Sequence, residues 1–275
     1  MKALTIANHI KTIGIEEYHA GPGVSKSDLD LIARSPAHYR AQKAAPREAT
    51  PAMIIGSAFH TATLEPEKFD LEFAVAPEGI DRRTKAGKEE WAAFEAASAG
   101  KTVLKAEDAD RVKEMALAVL AHPLAGPLVR GGVAERSLYW EPSVVEGIVS
   151  KCRPDYVKSL DEGHYVVVDL KSTEDARPWA FERSAWNYRY HVQAAYYWDG
   201  CTDALGHAPD AFVFIAVEKA PPYAVVVYEA SVEMMGAGRE EYFRNLRTFK
   251  ECLDSGEWPA YPVEIMELMP PKWAV

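Results

Sequence analysis

The sequence predicts an α/β fold: a mixed β-sheet flanked by helices, with a helical elaboration at its N-terminal end. Three patterns carry the prediction. Residues 147–157 and 164–171, GIVSKCRPDYV and HYVVVDLK, read as two strands around a polar reversal at 159–163, whose Asp, Glu and Gly suit a turn. The run AFVFIAVE over 211–218 is apolar without alternation, the pattern of a strand buried on both faces. Around these strands lie stretches of helical period, such as 106–121 with Val112, Met115, Ala116, Val119 and Leu120 on one face.

In chain order, residues 3–14 read as extended and lead to the turn Gly21-Pro22-Gly23. Ser25 and Ser27 are candidate N-caps for a helix that Ser35-Pro36 interrupts, and 37–40 continue as a second helical piece before a polar linker over 42–51. Pro51 opens a small-residue helix over 52–62, in which Gly56 lies one turn before His60. Residues 66–84 read as irregular, punctuated by Pro66, Pro77 and Gly79. Helices are expected at 85–98, 106–121 and briefly at 124–130. Strands at 134–140 and 144–149 then run into the hairpin, making an antiparallel meander. Ser172, Thr173 and Asp175 are placed to cap a helix over 178–186, and a longer helix follows with Tyr190, Gln193, Ala194 and Tyr197 at helical spacing. The strand at 211–218 takes 223–228 as its hairpin partner across Pro221-Pro222. Met235, Tyr242, Leu246, Phe249 and Leu253 mark a final helix before Gly256, and the tail from 258 is rich in proline and apolar residues.

A chain of 275 residues, 48% hydrophobic, builds a sizeable core without disulfides or zinc. Its even composition favours one domain over 1–275, with a mainly helical part at 1–130, sheet and helices at 131–230, and a C-terminal helix and tail at 231–275. Cys152, Cys201 and Cys252 lie about fifty residues apart, a spacing that suits a reducing compartment and speaks against a four-thiolate iron–sulfur cluster. No apolar run reaches membrane-spanning length and the N-terminus lacks signal-peptide features, so a cytoplasmic protein without a membrane partner is expected. The net charge of −10 argues against tight static binding to nucleic acid and leaves only a local basic lining. Lys43, Arg47, Arg82, Arg83, Lys85, Lys88 and Arg177 are the candidates for it.

The chemistry concentrates at the hairpin. Strand alternation puts Asp169 and Lys171 on one face and Leu170 on the other, while Asp155 ends the preceding strand just after Pro154. Two acids beside a lysine suit a hard divalent ion and a phosphate substrate, the lysine orienting water or offsetting charge on the phosphate. His60, in an apolar helix, reads by itself more readily as a buried, hydrogen-bonded core histidine than as a ligand, and Glu135 reads nearly as well as an exposed strand-end acid.

With Pro154-Asp155 and Asp169-Leu170-Lys171 filling its signature, the chain resembles the PD-(D/E)xK nucleases. More narrowly it is similar to the RecE-type exonuclease (exonuclease VIII) branch of prophage recombination systems. That likeness rests on GSAFHTATLEPE at 56–67, AERSLYW at 134–140, KCRPD at 151–155, DLKST at 169–173 and YHVQAAYYWDG at 190–200. The resemblance implies a restriction-endonuclease-like sheet. It implies metal ligation by His60, Asp155, Asp169 and the carbonyl of Leu170, and support of a second ion or its water by Glu135. Lys171 is then the residue that positions the nucleophilic water, with Gln193 and Tyr197, as a Q-x-x-x-Y pair, beside the metal. It further implies Mg²⁺ with Mn²⁺ as a substitute, and 5′→3′ digestion of linear double-stranded DNA ends that leaves 3′ overhangs. A homo-oligomer (a tetrameric ring) and a single-strand annealing protein are the implied partners. A RecB-like endonuclease or single-strand exonuclease is the nearest alternative, and a catalytically silent DNA-binding scaffold is the alternative of another class.

Overall fold

A computed structural model of the protein describes residues 10–45, 49–161 and 163–270. Residues 3–9 of the extended segment, Arg47 of the candidate basic lining, Glu162 of the reversal and the end of the tail at 271–275 lie outside the described residues.

The N-terminal part is helical where its caps dictate. After β1 (Ile10–Lys11) and α1 (Ile15–Ala20), Ser25 caps α2 (Lys26–Arg34) in a reciprocal box with Asp28. Ser35 caps α3 (Pro36–Ala44), and Thr50 caps α4 (Pro51–Leu64), each with proline at the first helical position. The stretch read as irregular instead holds α5 (Pro66–Glu72) and β2 (Phe73–Val75). After α6 (Lys85–Ala97), β2 gains a parallel partner in β3 (Thr102–Leu104), a pairing too distant in sequence for local pattern to announce. Then come α7 (Ala106–Ala121) and α8 (Ala125–Leu128).

The strands follow as β4 (Val133–Ala134), β5 (Ser137–Trp140), β6 (Ser150–Cys152), β7 (Tyr156–Asp161) and β8 (His164–Thr173). Next are α9 (Pro178–Asn187), α10 (Tyr190–Leu205), β9 (Ala211–Glu218), β10 (Val225–Glu229) and α11 (Val232–Ser255). The main sheet is mixed, in the order β10-β9-β8-β7-β4, with β8 and β9 parallel and the other neighbours antiparallel. A second sheet has the order β1-β5-β6.

The expected meander is therefore divided between two sheets. Residues 144–149 are turns rather than a strand, because Pro142 offers no donor and Gly147 adopts a left-handed backbone at φ 75°. The segment 134–140 is cut at Glu135, and 147–157 is cut between Cys152 and Tyr156. Across both cuts the register is unshifted: Ala134 faces Tyr156 in one sheet and Leu138 faces Cys152 in the other. One antiparallel ribbon thus bends from sheet to sheet, with Glu135 at φ 52° and the donorless Pro154 at its corner. The reversal is also tighter than expected, since β7 reaches Asp161, which pairs with His164. Ser172 and Thr173 belong to β8 rather than capping α9, and the Asp175 carboxylate accepts the Arg177 N–H at 2.9 Å.

Successive residues of β8 and β9 feed two cores. Val167, Phe212, Phe214 and Ala216 pack against α2, α10 and α11, while Val166, Val168, Ile215 and Val217 pack against α4 and α7. Asp169 and Lys171 have the parity of Val167 and so face α10. Among the described residues no helix is long and apolar enough to cross a membrane.

The crossing of α10 and α11 depends on Gly238, where a Cβ would stand 2.0 Å from the His191 carbonyl oxygen. Gly238→Ala is expected to lower stability in urea titrations by about 1–3 kcal/mol, as forced overpacking does. Gly236→Ala, in open space on the same helix, is expected to raise it by up to about 1 kcal/mol. A neutral Gly238→Ala would show that the two helices are not held at this separation.

Candidate metal and catalytic site

The bend of the ribbon leaves one edge of β8 open. Tyr156 pairs with Val168, but beyond it the ribbon turns away, while β8 keeps its pairing to β9 as far as Thr173 and Glu218. The peptide groups of Leu170 are satisfied at that opening by side chains. Its N–H donates to the Asp155 carboxylate at 2.7 Å, and its carbonyl oxygen lies 3.1 Å from His60 Nε2. The other ring nitrogen of His60 stands 3.6 Å from Asp155 and 3.9 Å from Glu135. His60, Glu135 and Asp155 thereby offer ligand atoms that all lie within 4.8 Å of one another.

Asp169 is fully buried on the α10 side of the strand, where the Lys171 ammonium pairs with one carboxylate oxygen and the Gln193 amide donates to the other. The Lys171 ammonium also lies 4.7 Å over the Tyr190 ring. Tyr197, one turn beyond Gln193, lines a cleft of about 750 Å³ together with His60, Glu135, Arg153 and Asp155.

Burial and the close spacing of these charges shift their proton affinities. Burial pushes the Asp155 carboxyl up to about 7, reinforced by the negative charge of Asp169. Burial alone would lower His60, but Asp155 and Glu135 outweigh it and hold the imidazole up at about 9. Lys171 likewise resists burial because Asp169 and Asp155 lie beside it, and it stays protonated. Glu135 is kept ionised against burial by His60 and by Arg153, whose Nε donates to it at 2.7 Å. Two carboxylates, an imidazole that would give up its proton to a metal, and a main-chain carbonyl, held within ligand reach of one another, fit a hard divalent cation.

The structure places the candidate metal and catalytic residues His60, Glu135, Asp155, Asp169, Lys171, Gln193 and Tyr197 around one end of β8, with one rearrangement. Glu135 stands in the group with His60 and Asp155, whereas Asp169 is engaged by Lys171 and Gln193. Arg153 was not anticipated: besides Glu135 it binds the Ile13 carbonyl at 2.8 Å and Ser137 Oγ at 2.9 Å, tying the N-terminal segment to the ribbon. Its place inside KCRPD was the available signal. Of the candidate basic lining, Lys43 pairs with Asp28, Arg83 with Asp81 and Arg177 with Asp175, and Arg82 lies over the Trp91 ring; none of these four lines the cleft. The cations on the cleft wall are Lys26, Lys68 and Arg153.

Motif and geometry agree on a class, the PD-(D/E)xK nuclease superfamily, with Asp155 at the ribbon's corner just before β7 and Asp169 and Lys171 on the neighbouring β8 of a mixed sheet. The chain belongs to the family described as a PDDEXK-like domain of unknown function (DUF3799), whose model matches residues 25–269. Among solved structures, a candidate exonuclease from Eubacterium rectale aligns with a TM-score of 0.64 at 14% identity, over 95% of this chain and 96% of that one, a likeness of fold. The structure of SSO0001 aligns at 15% identity over 72% of this chain and 86% of that one, with a TM-score of 0.32 that carries no argument. No curated protein matches the chain.

The titrations give the cluster a signature when divalent ions are chelated. Asp155 and His60 both have folded values above their ordinary 3.8 and 6.5, so each contributes stability that is complete below the ordinary value. That stability is lost as pH rises, through about 7 for Asp155 and about 9 for His60. Asp155→Asn is expected to flatten the decline between pH 3.8 and about 7 in urea titrations with EDTA. Slopes equal to those of the parent protein would remove the basis for a strained carboxyl at this position.

Proposed function

We propose that the protein is a Mg²⁺-dependent exodeoxyribonuclease acting on the ends of linear double-stranded DNA. The observation that carries the reading is the convergence, at one unzipped strand edge, of His60, Glu135 and Asp155 with the Asp169–Lys171 pair. In this reading His60, Asp155, Asp169 and the Leu170 carbonyl hold the metal, with Glu135 beside them, and Mn²⁺ substitutes for Mg²⁺. A divalent ion bound there supplies Lewis-acid stabilisation of the phosphoryl oxygens and an acidified water. The Lys171 ammonium, pinned by Asp169 and the Tyr190 ring, donates hydrogen bonds to the attacking water and to the phosphate as its charge grows. Gln193 keeps Asp169 oriented, and Arg153 keeps Glu135 ionised and fixed.

The finer reading is a single nuclease domain over residues 1–275 that degrades the 5′ strand in the 5′→3′ direction. It leaves a 3′ overhang for a single-strand annealing protein in recombination, works in the cytoplasm as a homo-oligomer, and belongs to a RecE-like prophage system. What supports it is the set of segments between 56 and 200 together with a fold shared with a candidate exonuclease.

Linear duplex labelled on both strands, with one 5′ end blocked, separates the alternatives. Degradation is expected from the free 5′ end with Mg²⁺ or Mn²⁺ and none with EDTA, and Lys171→Ala is expected to slow it by at least about a hundredfold. Cleavage of closed circular DNA would overturn the exonuclease reading. Equal, background-level degradation by the parent protein and Lys171→Ala would leave a silent DNA-binding scaffold.

A further inference from the structure

One helix face near the site has no role in the chemistry above. On α9, Trp179, Arg183 and Trp186 are spaced by four and three residues and so form one stripe, and Tyr188 follows just past the helix end. Trp179, Trp186 and Tyr188 are 60%, 54% and 65% exposed, and Arg183 is exposed between the tryptophans. Two tryptophans left in water along one helix face, with a third exposed ring at the helix end, mark an interaction surface.

The rings are held rigidly from beneath. Trp186 stacks on His191 with centroids 4.1 Å apart and planes 11° from parallel. Tyr188 stacks on Tyr190 at 5.9 Å and 23°, and the Arg177 guanidinium covers one face of Trp179 at 5.0 Å. Each ring is thus backed by one neighbour while more than half of the residue stays exposed. The row also leads to the candidate site. Tyr190, under Tyr188, carries the Lys171 ammonium on its own face, and the Tyr188 carbonyl accepts from Lys26, which lines the cleft, at 2.9 Å.

We propose that this stripe is a platform for single-stranded DNA, on which unpaired bases stack while Arg183 meets the phosphates between them. Bases offer flat π-faces of matching size, and stacking on aromatic side chains tolerates any sequence. The interleaved arginine and the short path to Lys171 favour a nucleic-acid strand over an apolar protein partner. The acids along this stretch, Asp175 and Glu182, flank the stripe, and Asp175 is already paired with Arg177 at 2.6 Å. The inference rests on the nuclease reading and adds to it a guide for the strand on its way to or from the cleft.

Anisotropy of a labelled short oligothymidylate, measured with Ca²⁺ in place of Mg²⁺, tests the platform against a control strand of the same length made of abasic sites. Trp186→Ala and Tyr188→Ala are each expected to weaken oligothymidylate binding by about five- to a hundredfold, with Tyr188→Phe near the parent value. Neither alanine variant is expected to change abasic-strand binding, which also reports that the variants are folded. Equal losses on both strands, or no loss on either, overturn the platform. A change of sedimentation coefficient in the variants with DNA binding intact overturns it in favour of an interface between copies of the chain. A parent protein that degrades linear duplex yet shows no base-dependent binding sinks the platform alone. One that neither degrades duplex nor binds either strand sinks the nuclease reading with it.

Discussion

The structure turns on one residue's peptide groups. Leu170 lies where β8 has lost its neighbour, and on a strand the N–H and C=O of one residue point to the same side. Left alone, both would be buried without a partner, at a cost of about 1–3 kcal/mol each. The Asp155 carboxylate takes the N–H and the His60 imidazole meets the carbonyl, so a side chain from the bent ribbon and one from α4 are drawn to the same point. The demand for backbone satisfaction and the assembly of the acid–histidine cluster are thus one event. The bend makes both, because a ribbon continuing straight would pair with β8 and close the opening.

The rest of the fold keeps that opening in place from two directions. On one side of the sheet α4 is packed onto α7, with Phe59, next to His60, wholly buried. On the other side α10 presents Gln193 to Asp169 and is itself fixed by α11 at the Gly238 crossing. The far arm of the ribbon is anchored by Lys151, a lysine only 2% exposed, whose ammonium donates to the Tyr18 and Gly21 carbonyls at 2.7 Å each. With Arg153 bound to the Ile13 carbonyl, these contacts fasten the N-terminal segment across the cleft wall. A buried charge satisfied this fully confers a specific geometry even where its net stabilisation is small.

Much of this could be read in the chain, because the strongest elements depend on local signals. Capped helices, the apolar β9 and the Asp169-Leu170-Lys171 strand carry their periodicity within a few residues. The ribbon's corner does not. Glu135 adopts a backbone disfavoured for a glutamate, and only pairing with residues some twenty positions later makes that conformation intelligible. The parallel pairing of β2 with β3 failed for the same reason, since Pro77 and Gly79 signalled an irregular stretch and the partner lay beyond a helix. Placing Glu135, rather than Asp169, beside His60 was out of reach without that corner. The cleft's cations were missed because clusters such as Arg82–Lys85 draw attention by number, whereas Lys26, Lys68 and Arg153 are scattered.

An acidic protein has a particular difficulty with DNA, and the distribution of contacts answers it. Phosphate contacts made by many surface cations give affinity that collapses as salt rises. Here several surface cations are paired with neighbouring acids, as Lys43 is with Asp28, Arg83 with Asp81 and Arg177 with Asp175, and a net charge of −10 repels the backbone at a distance. What lies near the site is short-ranged: cleft cations that are themselves paired, Lys26 with Asp30, Lys68 with Glu65 and Arg153 with Glu135, a group of acids and a histidine suited to a cation, and the exposed rings of α9. On the proposed exonuclease reading, such contacts hold a strand weakly unless its end is in the cleft. The acidity that seemed to argue against a nucleic-acid substrate therefore argues against only one manner of binding it.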